Sequence, residues 1–179
     1  ETKDRYNNYA VGEAAKGLYE FVWNDFCDWY LELIKPRLKT NNKSEGEFAT
    51  DRENAFKVVF LVLNHILVML HPLMPHLTEE LWHGITLTSK DNFLAKQAWP
   101  DFNEDEIDDD LEKSFSELFA SIRLVRNLRA EAGLKPSQEI PVRFITNQKY
   151  VSNILKEAEE DIQFLTKASK VEVFDQLEI

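Results

Sequence analysis

A single cysteine, Cys27, among 179 residues excludes an intramolecular disulfide framework and suits a reducing compartment. Five glycines and six prolines are too few for a collagen-like or linker-dominated chain. The glycines stand singly, at 12, 17, 46, 84 and 133, so no glycine-rich phosphate loop exists. Neither H-E-x-x-H nor C-x-x-C occurs, which removes the common zinc ligand sets. The longest apolar run, residues 58–70, is interrupted by Asn64 and His65 and is shorter than the roughly 18–20 residues a membrane span requires. No basic stretch followed by an apolar one opens the chain, so no signal peptide is expected. The first residue is Glu1 rather than Met, which reads as a fragment or processed product.

What is present supports a real core: 44% hydrophobic residues against 30% charged, outside the disordered range. The net charge of −11 is unevenly spread. Residues 1–75 carry −2, residues 76–112 carry −9, and residues 113–179 are neutral. The acidity centres on EDEIDDDLE (104–112), which reads as a solvated loop and helix start, where acids suit the N-terminal dipole. Phosphate binding relies on Lys and Arg. With the acids confined to one segment, a local basic face elsewhere remains compatible with RNA.

Apolar residues at Ala14/Ala15, Leu18, Phe21/Val22, Phe26, Trp29 and Leu33 recur at the period of an amphipathic helix over about 13–36. Gly12 is the expected N-cap, and Pro36 should weaken the end. Residues 1–8 read as the tail of an earlier helix, and 40–47 as a polar loop. A second helix is expected over about 50–70 as the most buried element. Pro72 and Pro75 then break the chain, and Thr78 is placed to cap the next helix. Residues 86–107 read as irregular, with Trp99-Pro100 pinning the loop to the bundle. A third long helix is expected over about 110–132, with Gly133 at its C′ position. Alternation from Ile140 to Thr146 predicts a strand, followed by a helix over about 149–167 and a strand around Val171 and Val173. The fold class is therefore mainly α: a helical bundle over 1–112, then a long helix carrying a small α/β appendage over 113–179.

Chemistry is sparse. His65, His71, His76 and His83 lie close in sequence, but a histidine at a helix boundary is more often a capped or core residue than a ligand. Cys27 sits in an aromatic helix with no basic neighbour and is expected to be buried and inert. No pair of carboxylates has environments that can be told apart. The chain alone is expected to have no enzymatic activity. Of the aromatics between Tyr19 and Tyr30, helical spacing sends most to the core. Trp29 and Tyr30, close to Lys35, Arg37 and Lys39, mix rings with cations as single-stranded RNA sites do. Arg123, Arg126 and Arg129 step by three as a basic stripe, facing either solvent or phosphate.

Several segments resemble one enzyme family. FVWNDFCDWYLELIKPRL (21–38) is similar to a bundle helix of the anticodon-binding domain of valyl-tRNA synthetases. HPLMPHLTEELW (71–82) resembles a motif shared by the valyl, isoleucyl and leucyl class I enzymes. Trp99-Pro100 and SIRLVRNLRAEAGLKPSQEIPV (121–142) match the valyl family's downstream part. The string from Phe26 to Glu32 is the most specific, since isoleucyl enzymes differ before the shared Tyr-Leu-Glu. The ATP-binding signatures of class I are absent: 82–85 and 87–90 resemble them only by accident and lack the required order. An editing domain, the first bundle helix and the C-terminal coiled coil are likewise missing.

The resemblance implies an excised anticodon-binding fragment, its first bundle helix absent, from a cytoplasmic enzyme that ligates valine to tRNA(Val) with ATP and Mg²⁺. No cofactor is expected in the fragment itself. Its expected partners are the tRNA(Val) anticodon stem-loop and the catalytic body, with no membrane. The fragment is expected to be a monomer, unless the surface left by the missing helix promotes self-association. Up-down bundle geometry gathers Trp29, Tyr30, Glu32, Lys35, Arg37, Arg52, Asn54 and Lys57 at one end. There rings would stack on bases, Glu32 and Asn54 read base edges, and the cations hold phosphates. The motif at 71–82 lies at the other end, toward the catalytic body. Arg123, Arg126 and Arg129 would meet the tRNA backbone elsewhere. Two alternatives stay open: the equivalent domain of an isoleucyl or leucyl enzyme, and a helical interaction scaffold with no RNA role of its own.

Overall fold

A computed structural model of the chain describes residues 1–39, 47–86 and 91–174. The loop expected at 40–47 therefore falls, but for Glu47, outside the described residues, as does 87–90. The chain divides into two compact units, 1–102 and 103–179, ten residues before the boundary expected at 112.

The first unit is helical. Helix α1 (Thr2–Asn7) leads into α2 (Val11–Glu20), which continues without a break through a π-helical segment (Phe21–Tyr30) into α3 (Leu31–Lys39). The single long helix expected here has a continuous backbone, but its middle is wound wider. Hydrogen bonds reaching i+5 change which residues face inward. Beyond this segment, Ile34 rather than Leu33 is fully buried, and Phe21 at its start is 40% exposed. Ala10, with no side-chain bond, caps α2 in place of the expected Gly12. Gly17 lets α1 approach, since a Cβ there would meet the Arg5 guanidinium. Pro36 lies within α3 and does not end it.

Helix α4 (Glu47–Leu70) packs against α2, α3 and α5 (Pro75–Thr86). It begins before the apolar run, so Thr50–Leu70 becomes long and apolar enough, by composition, to cross a bilayer. Asp51, Arg52, Glu53 and Lys57 nevertheless crowd its first turns. It is also less buried than its sequence implies: Phe56, Val58, Phe60 and Leu61 are 39–56% exposed. Pro75 opens α5 at the position where a missing N–H costs nothing. Thr78 lies inside α5 instead of capping it. Its hydroxyl bonds the Met74 carbonyl at 2.9 Å and the His71 Nδ1 at 2.8 Å. A core of Leu67, Val68, Trp82 and Leu94 closes this end, with Ile85 and Trp99 against it. Trp82 Nε1 donates to Asn64 Oδ1 at 2.7 Å. Trp99 meets the Tyr6 ring edge-on at 5.7 Å, which ties the irregular segment to the helices.

The second unit hangs on α6 (Asp109–Glu131). Asp108 caps α6 by accepting from the Leu111 N–H at 2.9 Å, and Gly133, at φ +65°, ends it as expected. Strand β1 (Ile140–Ile145), helices α7 (Lys149–Glu157) and α8 (Glu159–Thr166), and strand β2 (Ala168–Phe174) complete it. The two strands pair in parallel, Val142 beside Val171. The helix expected over 149–167 is broken at Ala158. Leu118, Ile122, Val125, Leu155, Ile162 and Val171 are buried.

Candidate nucleic-acid interface

In the first unit, Arg37 joins the end of α3 to the start of α4. Its Nε donates to Asp51 Oδ2 at 2.8 Å, and its Nη2 donates to Oδ1 of the same carboxylate. This fork holds the Asp51 carboxyl below its ordinary pKa. Along α4, Asn54 and Lys57 follow Asp51 at three-residue steps of about 60° each, so Asn54 lies between the Arg37–Asp51 pair and Lys57, which stand about 120° apart. Lys57 Nζ lies 2.7 Å from Glu53, and a hydrogen bond from Lys57 lowers the Glu53 pKa. Arg52 stands about 140° around the helix from Lys57, over the Phe56 ring at 5.6 Å. No single phosphate therefore meets both.

The remaining expected residues of this end lie farther back. Glu32 and Lys35 pair with each other. Tyr30 is half-buried and stacked on Phe26 at 6.0 Å, and its burial raises the phenol pKa. Trp29 is only 3% exposed. As a core residue three positions after Phe26, it offers no ring face for a base, contrary to the expectation. Arg37, Arg52, Asn54 and Lys57 form the exposed polar set, all on the surface of the α3–α4 end.

Sequence reasoning missed an aromatic pair on the outside. Tyr19 and Trp23, 65% and 56% exposed, stack with rings 6.2 Å apart and nearly parallel. Each sits one residue past a core-facing position, Leu18 or Val22, and that offset is the signal that could have found them.

In the second unit the arginine stripe does not hold. Each three-residue step turns a helix position by about 60°, so Arg123, Arg126 and Arg129 rotate from solvent into the core. Arg123 is exposed. Arg126 Nε donates to the Leu165 carbonyl at 3.2 Å. Arg129, 9% exposed, donates through Nη2 to the Gln138 carbonyl at 2.6 Å. Arg126 and Arg129 are thus committed to the backbone of their own unit. The acids from Glu104 to Glu112 are exposed, as expected for a solvated helix start.

Among the described residues no three His, Cys, Asp or Glu side chains converge as a metal site would need. The exposed set of the first unit is polar and aromatic. It offers cations, an amide and outward-facing rings.

A family model for the anticodon-binding domain of tRNA ligase matches residues 1–144. The chain is 61% identical, over its whole length, to a valine--tRNA ligase of Prochlorococcus marinus, of which it covers 19%. It is 58% identical over 97% of its length to that of a second strain, covering 18% of it. To the valine--tRNA ligase of Parasynechococcus marenigrum it is 54% identical over 97% of its length, covering 19%. The chain spans about a fifth of the length of these relatives. The match over most of the chain and the helical first unit agree, and the chain belongs to the family of anticodon-binding domains of tRNA ligases.

Proposed function

We propose that this chain is the anticodon-recognition part of a cytoplasmic valyl-tRNA synthetase, whose full enzyme joins valine to tRNA(Val) with ATP and Mg²⁺. The end-to-end similarity to valine--tRNA ligases carries this reading. The α3–α4 end of the first unit is its contact surface. Lys57 and Arg52 meet phosphates on two sides of α4, and Asn54 presents both a donor and an acceptor to a base edge. Arg37, locked to Asp51, sets the angle between the helices. Ring stacking falls to Tyr30, which is partly open at this end. Valine activation belongs to the remaining four-fifths of the enzyme.

The test is a salt titration of binding to a valine anticodon stem-loop, beside the same loop with altered anticodon bases. Preference for the valine loop, weakening with salt, is the expected result. Lys57→Glu should lower affinity for every loop and reduce the salt slope by about 0.7–1 for each phosphate it no longer neutralises. Asn54→Ala should narrow the difference between loops. Equal binding of all loops would confine these residues to holding phosphates. No binding at low salt, with the fold intact, would leave the chain a scaffold and overturn the reading.

A further inference from the structure

The second unit contains a groove that RNA recognition does not use. It measures about 270 Å³ and is lined by Leu124, Leu128 and Arg129 of α6 and by five successive strand residues, Ile140 to Phe144. Successive strand residues alternate faces, so a groove touching all five follows the edge of β1. The sheet has only two strands, and β1 therefore has an edge with no strand partner among the described residues. An open edge is a template for one more strand, here through the Arg143 N–H and the edge carbonyls, since Pro141 on the same edge has no N–H.

The base of this groove is charged. Arg129 spends Nη2 on the carbonyls of Gln138 and Lys135, at 2.6 and 3.4 Å, while its buried Nη1 has no partner. No ion pair among the described residues involves Arg129. A buried cation without a counter-charge is costly, and a planar guanidinium is best satisfied by a carboxylate. The rim is apolar: Leu124 and Leu128 are 55% and 54% exposed and can move aside at little packing cost. Backbone edge, apolar rim and unpaired buried cation together fit one kind of occupant.

We propose that the groove between α6 and β1 binds an extended peptide segment of a protein partner. The segment adds to β1 as a third strand, lays apolar side chains on Leu124 and Leu128, and places one Asp or Glu carboxylate against Arg129. A nucleic-acid backbone is a poorer fit, because apolar walls do nothing for a ribose-phosphate chain. The proposal stands apart from the anticodon reading, and its test contains no RNA.

The probe is a capped hexapeptide of alternating Val and Thr with a single Glu, compared with its Gln counterpart. Both are titrated into the full ¹⁵N-labelled chain. The Glu peptide should shift the amides of Ile140 and Val142–Phe144 and bind at least about tenfold more tightly than the Gln peptide, the scale of one charge-assisted hydrogen bond. Leu128→Glu, at an exposed position that leaves the Arg129 bonds in place, should abolish binding by putting a carboxylate in the groove. Arg129→Lys, which keeps the charge but loses the fork, should remove most of the preference for Glu. Three results would overturn the proposal: equal affinity for the two peptides, shifts confined to other residues, or undiminished binding in Leu128→Glu. Inorganic phosphate displacing the peptide with the same dependence on Arg129 would reassign the groove to an oxyanion and also defeat it.

Discussion

Arg37 of the first unit and Arg126 and Arg129 of the second do different work. In residues 1–102, Arg37 meets the Asp51 carboxylate at the protein surface, with both side chains about two-fifths exposed. In residues 103–179, Arg126 and Arg129 turn to main-chain carbonyls, and Arg129 is largely buried, at 9% exposed. A surface ion pair is screened and can exchange its partner for a phosphate. A guanidinium satisfying buried carbonyls cannot be withdrawn without leaving them bare. Helix spacing alone does not separate these cases. What separates them is how far the helix has rotated between one arginine and the next, and what packs on that side.

The sharpest way to break this comparison is to remove each arginine in turn. Arg129→Ala leaves the Gln138 and Lys135 carbonyls without their donor and empties a packed position. It should cost the second unit about 2–4 kcal/mol. Arg37→Gln should barely change stability but should weaken stem-loop binding by loosening the α3–α4 angle. Two probes keep the units apart. All four tryptophans, Trp23, Trp29, Trp82 and Trp99, lie in the first unit. In urea, Arg129→Ala should therefore shift a circular-dichroism transition and leave tryptophan fluorescence in place. A fluorescence transition that moves with it would mean the two units unfold together, and their arginines could not then be set against each other.

The sequence reveals most of the element map because apolar periodicity survives wherever helices are regular. The long α6, its acidic start, Gly133 and the alternating strand from Ile140 all follow from local rules. The widened turn at Phe21–Tyr30 does not, since a change from i+4 to i+5 bonding leaves no compositional mark. Across it burial moves from Leu33 to Ile34. The candidate site is legible in its location and less so in its members. Cations close in sequence to the α3–α4 junction can be gathered by topology. Whether Trp29 faces in or out, and whether Arg129 reaches solvent, depends on rotations that spacing specifies only to within tens of degrees. Asp51 escapes notice as the partner of Arg37 because the pair forms across fourteen residues.

A smaller effect tests how closely the second unit follows local rules. Two of its helices end in left-handed residues, Gly133 after α6 at φ +65° and Lys167 after α8 at φ +55°. Only glycine adopts that conformation without strain from Cβ. Gly133→Ala should cost about 1 kcal/mol. Lys167→Gly should gain about 0.5 kcal/mol or less, because relief of strain is offset by chain entropy and by loss of the ammonium over Phe164 at 5.0 Å. Thermal melts read by circular dichroism can resolve the opposite signs. Stabilisation by Gly133→Ala would show that the left-handed turn does not set the end of α6.

The smallest expected effect concerns pH, where the two units should behave alike for different reasons. Hydrogen bonding to Arg37 lowers the Asp51 pKa in the first unit. In the second, bonds from Lys170 and then Arg143 lower that of Glu172. A carboxyl with a depressed folded pKa stabilises the fold above its unfolded value, and that contribution is lost as pH falls through the folded one. Both units should therefore weaken on acidification below about pH 4, where unfolded carboxyls begin to take up protons. These groups are at the surface, so added salt should flatten the dependence. Arg37→Gln should return the Asp51 titration, followed by carboxyl NMR, to its ordinary midpoint and leave Glu172 where it is. Lys170→Gln should raise the Glu172 midpoint only part of the way, because Arg143 still bonds it, and should leave Asp51 where it is. If either substitution moved both carboxyls, the two surfaces would be electrostatically coupled, and the arginine pair of one unit would not be independent of the ion pairs in the other.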